Sequence, residues 1–258
     1  MAHRIGIAGI TGRMGQLLSE EVPAAGAIVS GGIRRAGSGK TAPAGVALLP
    51  SLAALAEVSD VVIDFTHAST AQASAAIMAK SRKAWVLGSS GLSTADEAAV
   101  ETAARSIPVV YASNFSAGVN LVLALCERMG AALPAESYDA EIMEMHHRQK
   151  VDAPSGTAVG MGRAVAKGRG QKLEDVMVSG RHGHSGARET GAIGFAALRG
   201  GQVVGEHTLI FASATEHIAL THRAFDRRVY ATGAVRAALW VVGQKPGLYS
   251  MMDVLGMT

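Results

Sequence analysis

Arg4-Ile5-Gly6-Ile7-Ala8-Gly9-Ile10-Thr11-Gly12-Arg13-Met14-Gly15 is the stretch whose reading decides the fold. Residues 3–9 read as a short buried strand. A glycine-rich turn follows, and then a helical run over residues 16–22 that Pro23 stops. Strand, glycine turn and helix in that order are the setting of a dinucleotide-binding fingerprint. The glycines let the backbone turn tightly and come close to a pyrophosphate. The free N–H groups and positive end of the helix then hold the negative charge. The spacing here is Gly9-x-x-Gly12-x-x-Gly15 rather than the commoner G-x-G-x-x-G. A turn that only packs a helix onto a strand is the alternative reading.

Moving outward, residues 27–33 read as a second strand. An acidic residue at its end would bind the ribose hydroxyls of NAD, but Arg34 and Arg35 stand there. Two guanidinium groups suit a 2′-phosphate and tilt the choice between NADPH and NADH slightly toward NADPH. A solvated pair of loop arginines is the equal alternative. Residues 36–50 lack periodicity and read as a surface loop. Strands over 59–66, 84–87 and 108–111 alternate with helices over 69–81 and 94–105, the latter capped by Ser93 or Thr94 with Glu97 nearby. That alternation predicts a Rossmann-like, doubly wound parallel sheet, whose ligands gather at the carboxyl ends of the strands. Gly88-Ser89-Ser90 falls at such an end and suits close approach to a ligand. Asp64 falls at another and reads as an organiser of a loop or helix terminus.

The second half has a different pattern. A long helix over 119–132 precedes an alternating strand over 138–146, with Ile142, Glu144 and His146 on one face. The strand delivers His146 at its tip into His146-His147-Arg148-Gln149-Lys150-Val151-Asp152-Ala153-Pro154-Ser155-Gly156-Thr157. Ser155 is a good N-cap for a helix running to about Lys167, so the first N–H groups are placed to bind a carboxylate. A histidine titrates near neutrality and can move a proton, and a lysine near a bound anion can donate one. The helix start, with His147 and Lys150, makes an anion site of dicarboxylate size. Surface loop residues beside an ordinary helix cap are the competing reading. Strands over 191–198, 202–212 and 216–222 predict an antiparallel or mixed sheet, giving this half an α+β character. Residues 180–190 read as a mobile loop. A helix over 231–242 and a final segment over 247–255 are expected to return to the first domain.

Composition narrows the function classes. Apolar residues make up 48% of the 258 and charged ones 17%, as in a well-packed globular chain. A net charge of +3 without a Lys/Arg block argues against nucleic acid as a partner. No run reaches the roughly 18 apolar residues of a membrane span. Met-Ala-His-Arg leads at once into a strand without a signal-peptide pattern, so a cytoplasmic location is expected and no membrane partner. Cys126, the one cysteine, lies in an apolar helical run and reads as core. Seven of the nine histidines lie between 146 and 222, but no H-E-x-x-H motif or cysteine set organises them, so no metal site is expected.

Taken together, these motifs resemble the dihydrodipicolinate (4-hydroxy-tetrahydrodipicolinate) reductase family of lysine and diaminopimelate biosynthesis. The resemblance rests on Gly9-x-x-Gly12-Arg13-Met14-Gly15, Asp64-Phe65-Thr66, Asn114-Phe115-Ser116 and the His146 to Ala158 block. Gly194-Phe195-Ala196, Val204-Gly205-Glu206-His207-Thr208 and the segment from Gly233 to Trp240 extend it over nearly the whole chain. It implies a discontinuous dinucleotide-binding domain, 1–116 and 226–258, around a substrate-binding and oligomerisation domain, 117–225, that assembles as a homotetramer. It implies NAD(P)H-dependent reduction of a cyclic dicarboxylic imine, formed by dehydration of the hydroxy precursor. His146 would be the proton donor or acceptor and Lys150 the proton donor. His147, Gly156 and Thr157 would contact the substrate. Gly9, Ile10, Thr11, Gly12, Arg13 and Met14 would hold the pyrophosphate. Gly88, Ser89 and Ser90, with Ala112, Ser113, Asn114 and Phe115, would line the nicotinamide side. Three positions depart from the common pattern: Arg34 replaces an acidic residue, Gln149 a frequent histidine, and Ser89-Ser90 a pair of threonines.

Overall fold

The computed structural model describes residues 1–35 and 37–257. Ala36, where the expected loop 36–50 begins, and Thr258, the last residue of the expected domain range 226–258, lie outside the described residues. The chain divides into two compact units, Met1–Ala117 with Arg228–Thr258, and Gly118–Arg227.

The first unit opens with β1 (Arg4–Ala8), α1 (Arg13–Ala24) and β2 (Ile28–Ile33). Next come α2 (Leu52–Glu57), β3 (Val61–Asp64), α3 (Ala71–Ser81), β4 (Ala84–Leu87), α4 (Thr94–Ala104) and β5 (Pro108–Tyr111). The second unit holds α5 (Ala117–Ala132, from Gly118 on), β6 (Asp139–His146), α6 (Gly156–Gly168) and α7 (Leu173–Val176). It continues with β7 (Met177–Ser179), β8 (Ile193–Arg199), β9 (Gly205–Ala212) and β10 (His217–Ala224). The chain then returns to the first unit as α8 (Arg228–Val241), β11 (Gly247–Tyr249) and α9 (Met251–Leu255).

The first unit is a six-stranded sheet in the order β11-β5-β4-β3-β1-β2, with every pairing parallel. Its central strands β3 and β4 are buried along their whole length, which is why they read as continuous apolar runs. Side chains alternate between two cores. Val61, Ile63, Ala84 and Val86 join α1, α8 and α9 on one face. Val62, Trp85 and Leu87 join α2, α3 and α4 on the other. The strand order reverses between β1 and β3, so the carboxyl ends of these two strands form the crevice where such sheets take ligands.

The second unit is a mixed five-stranded sheet, β10-β9-β6-β8-β7. The β10–β9 and β9–β6 pairs are antiparallel, and the β6–β8 and β8–β7 pairs parallel. Helices α5 and α6 cover one face through Val122, Cys126, Met161 and Val165, packed on Ile142, Phe195, Leu209 and Phe211. They come close because glycines face each other's backbone. A Cβ on Gly168 would lie 2.1 Å from the Glu127 carbonyl oxygen, and one on Gly130 would lie 2.5 Å from that of Val165. The opposite face exposes Met143 and Leu198.

Several expectations need correction. Helix α1 begins at Arg13 and passes through Pro23 by one residue. Pro23 removes one hydrogen bond in the last turn, where little helix remains to be broken. The capping box of α4 pairs Ser93 with Asp96, not Glu97, because the N3 position, not N4, reaches the N-cap N–H. The apolar cluster Leu52, Leu55 and Ala56 forms the unanticipated short helix α2 just beyond the expected loop, whose described residues carry only one isolated bridge, Leu48 to Gly32. The segment 180–190 forms no helix or strand, in keeping with a loop, but two of its arginines have partners that composition does not show. Arg181 makes two 3.0 Å bonds to the Glu141 carboxylate, and Arg188 bonds Glu141 and Asp139 at 2.9 and 2.8 Å.

Candidate functional site

At the carboxyl end of β1 the chain makes two hydrogen bonds to β2, from Gly9 N and Ile10 N to the Ile33 carbonyl, at 3.0 and 3.1 Å. Gly9 has φ +86°, a left-handed conformation that suits glycine. A Cβ on Gly15 would lie 2.3 Å from the Gly9 carbonyl oxygen, so only glycine lets α1 start this close to the turn. The N-cap of α1 is Gly12, with no side-chain cap and no acidic residue in the first turn. The initial N–H groups of a helix have no intrahelical acceptor, and here no side chain supplies one. A positive, uncapped helix end beside a glycine turn fits the pyrophosphate of a dinucleotide. The expected neighbours divide by role. Ile10 and Phe115 are core side chains, Phe115 packing on Phe65 at 5.6 Å between ring centroids, so they can offer a ligand only backbone. The Ser89 hydroxyl is buried and donates to the Thr66 carbonyl at 2.9 Å, whereas Ser90 and Ser113 are exposed. A Cβ on Gly88 would meet the Phe65 ring at 2.5 Å. Arg34 and Arg35 are both exposed, and the Arg34 guanidinium donates to the Lys40 carbonyl at 2.9 Å. Asp64 is buried, with one carboxylate oxygen accepting from the Thr66 backbone N–H at 2.9 Å and from its hydroxyl. Burial pushes its carboxyl above the usual range. This is the loop-ordering role the sequence suggested.

In the second unit, β6 carries Glu144 and His146 on its buried face. The His146 ring Nδ1 lies 2.6 Å from the Glu144 carboxylate. Arg199, at the end of β8, grips the same carboxylate with two bonds of 2.9 Å, and the Ser155 backbone N–H donates to it at 3.2 Å. His207, paired with Glu144 in the β6–β9 register, stacks edge-on against His146 at 5.1 Å between centroids. Its Nε2 lies 3.0 Å from the Ser155 hydroxyl, which also accepts from Ala158 N at 3.3 Å as the N-cap of α6. That cap uses only the Ala158 donor. The N–H groups of Gly156 and Thr157 head the helix, and the space beside the Gly156 Cα is open. Lys150 donates to both oxygens of Asp152 at 2.8 and 2.9 Å. Strand β6 ends at His146, so His147 enters the turn. Its Nε2 lies 3.5 Å from Arg227, and its Nδ1 is buried without a hydrogen bond.

The charges follow the burial. Burial alone would raise the Glu144 carboxyl, but the bonds from Arg199 and His146 outweigh it and hold it below the usual range. Burial lowers the His146 imidazole; Glu144 opposes this, while Lys150 and Arg199 add to it. His207 is pushed down to about 4 by burial and by neighbouring positive charge, and burial lowers His222 as well. The Lys150 ammonium holds the Asp152 carboxyl low. Cys126, 0% exposed in the core, has its thiol pushed up to about 12 by burial, which suits packing rather than nucleophilic chemistry. Among the described residues, no group of three or more His, Cys, Asp or Glu side chains forms a metal-ligand set.

The expected residues His146, Lys150, Gly156 and Thr157 thus come from the end of one strand, the loop after it and the helix that follows. Sequence reasoning overlooked Arg199 and His207, and it gave Glu144 no role. The signal for Glu144 was present: an acidic residue two before His146, on the face that alternation buries. Arg199 carried no comparable local sign, and His207 stood only within the Val204 to Thr208 motif with no role attached, because both arrive from other strands, β8 and β9.

A doubly wound parallel sheet with an uncapped glycine turn, joined to a mixed-sheet unit with a histidine–carboxylate cluster, defines a Rossmann-like two-unit oxidoreductase. Residues 3–115 match the family model of the dihydrodipicolinate reductase N-terminus, and residues 118–255 that of its C-terminus. The chain is 68% identical to the 4-hydroxy-tetrahydrodipicolinate reductase of Granulibacter bethesdensis, over 98% of this chain and 97% of the relative. It is 62% identical to that of Gluconacetobacter diazotrophicus, over 98% and 97%. The fold is shared with a dipicolinate-bound dihydrodipicolinate reductase from Paenisporosarcina sp. TG-14, with TM-score 0.80 and 23% identity over 98% of this chain and 99% of that one. The chain belongs to the dihydrodipicolinate reductase family. Among the described residues, no helix is long and apolar enough to cross a membrane.

The buried histidines make stability depend on pH. The folded-state pKa of His207 is depressed to about 4 from 6.5, so between these values the unfolded chain binds the extra proton and stability falls as pH falls. At 1.36 kcal/mol per unit, His207 alone should cost roughly 3 kcal/mol on acidification through that window. Urea midpoints of wild type and His207→Gln, followed across the window, check this. The variant should show a visibly flatter decline, and an equally steep one would assign the loss to other groups.

Proposed function

We propose that this protein reduces 4-hydroxy-tetrahydrodipicolinate, through its dehydrated cyclic imine, to tetrahydrodipicolinate, with NADPH or NADH as the reductant. The observation that carries this reading is the end of β6 in a chain of this family. A buried, carboxylate-bonded imidazole, a lysine and a helix start that can take an anion lie within eleven residues there, His146 to Gly156. A bound nicotinamide supplies the hydride, which no side chain can provide.

This chain's residues supply the remainder. Gly9, Ile10, Thr11, Gly12, Arg13 and Met14 form the pyrophosphate cradle; the N–H groups of Gly9, Ile10 and Gly12 are spent on holding the turn, and those of Arg13 and Met14 at the start of α1 face the phosphates. Gly88, Ser89, Ser90 and the segment Ala112, Ser113, Asn114 and Phe115 line the nicotinamide side. The Gly156 and Thr157 N–H groups take one substrate carboxylate, with His147 beside it. Reduction consumes a proton along with the hydride. Lys150 donates it, and His146 accepts or returns a proton through the ring nitrogen not bonded to Glu144. Asp152 holds the Lys150 ammonium, so an incoming carboxylate competes with Asp152 for it. His146→Ala and Lys150→Ala should each lower kcat by about 10²–10³ while cofactor binding persists. Turnover near the wild-type rate in either variant, with substrate generated in situ, would remove that residue from the mechanism.

Arg34 and Arg35 form a clamp for a 2′-phosphate and favour NADPH. Arg34 would do so while bonded to the Lys40 carbonyl, and Arg35 from an exposed position. Comparing kcat/KM for the two coenzymes tests this, with Arg34→Ala and Arg35→Ala expected to lose efficiency with NADPH selectively. A large NADH preference left unchanged by Arg34→Ala refutes the clamp.

The second unit also builds a homotetramer through the uncovered face of its sheet. Met143, Leu198 and Ala196 are exposed there, beside the half-buried Ile210. A large apolar sheet face left in water is unfavourable and marks an interface. Sedimentation of the full chain should give a tetramer that Met143→Lys dissociates; a wild-type monomer disproves the assembly. A cytoplasmic location goes with this biosynthetic role.

A further inference from the structure

We propose that Glu144 and Arg199 are positioning residues for proton transfer, fixing both the tautomer of His146 and the helix start that holds the substrate carboxylate. The proposal rests on the reading of His146 as the proton-transfer group and adds to it two residues with no assigned role.

Glu144 is 1% exposed and makes all of its polar contacts inside the protein. An ionised carboxylate only accepts hydrogen bonds, so the His146 nitrogen 2.6 Å from it, Nδ1, must carry a proton. The two bonds from Arg199 keep Glu144 ionised and orient its plane. The proton is thereby confined to Nδ1, and Nε2 is the nitrogen free to exchange one with a ligand. A side chain at position 205 would crowd that atom. Gly205 stands opposite it, and a Cβ there would come within 3.0 Å of Nε2.

The same pair reaches the carboxylate cradle. Glu144 accepts from the backbone N–H of Ser155, the N-cap of α6, at 3.2 Å. Arg199 donates to the carbonyl of Asp152 at 2.6 Å, and so anchors the loop that carries Lys150's partner. On the far side of the ring, His207 stacks on His146 and bonds the Ser155 hydroxyl. One buried charge therefore sets the spacing between the group that moves the proton and the N–H groups that bind the anion. The groups facing His146 are Glu144 on its own strand, Arg199 from β8, His207 from β9 and Lys150 from the following loop. His222 lies behind His207.

Glu144 and Arg199 act on His146 with opposite charge, and this separates positioning from mere structural support. The test uses full-length protein with histidine labelled in 15N, His146→Gln to assign the ring signal, and kcat measured across pH. In Glu144→Gln the His146 titration midpoint should move to lower pH, because its negative partner is gone. In Arg199→Gln it should move to higher pH, because a positive neighbour is gone. Both variants should lose about 10- to 100-fold in kcat, within the range of acid–base catalysis, and the double variant should lose less than the product of the two. Cofactor binding should be unchanged. Midpoints that stay put, or move the same way in both variants, overturn the proposal, as does wild-type kcat in either. If Glu144→Gln does not fold, the direction of the Arg199→Gln shift and its kcat decide alone. His146→Ala separates the two levels: full activity there refutes the reading of His146 itself. Loss of activity there with unchanged Glu144 and Arg199 variants refutes only the positioning role.

Discussion

An ionised carboxylate shut away from water at the tip of β6 constrains the second unit more than any other group. Transfer of an unpaired charge out of water costs many kcal/mol, so Glu144 survives there only with its bonds from Arg199, His146 and Ser155 in place. Each partner belongs to a different piece of chain. Satisfying one carboxylate therefore sets where β8 ends, how the loop from Lys150 to Pro154 turns, and where α6 begins. The neighbouring imidazoles of His146 and His207 are buried beside it, and burial lowers the pKa of both.

The first unit meets a related constraint with backbone alone. Helix α1 starts beside the glycine turn with its N–H groups uncapped, and the missing Cβ atoms of Gly9 and Gly15 allow the close approach. Both units thus present a helix N-terminus, and in the proposed function α1 takes a pyrophosphate and α6 a carboxylate. The difference lies in the support. The start of α1 is built of glycines with the exposed Arg13 as its first residue, whereas that of α6 is bonded to the buried Glu144 and His207. The arrangement suits the proposed division of labour: the first site needs only to bind, and the second must also move protons.

Charge also organises the rest of the mixed sheet. Glu141 lies opposite Gly194 in the β6–β8 pairing, and a Cβ there would stand 2.0 Å from the Glu141 carboxylate. The bare glycine leaves room for that carboxylate, which bonds Arg181 and Arg188, near the two ends of a segment rich in Gly, Ser and His. Composition describes what a segment can do when alone. Long-range ion pairs add anchors at Arg181 and Arg188 that composition does not show.

Local patterns were enough to specify the parallel sheet of the first unit, the strand that ends at His146 and the helix that Ser155 caps. Each depends on periodicity, glycine placement or capping within a few residues, and such signals lie in order along the chain. Short elements such as α2, α7 and β7 escaped, because a few residues with little periodicity form only where tertiary packing stabilises them. The identities of His146, Lys150, Gly156 and Thr157 as candidates were legible for the same local reason. The partners of His146 were not. Arg199 and His207 are more than fifty residues away along the chain, and only strand pairing in the mixed sheet brings them to Glu144 and His146. The sequence by itself determined which groups could exchange protons and bind anions. The tertiary structure alone decided which ring nitrogen of His146 is held by a carboxylate, because burial and long-range pairing create that bond.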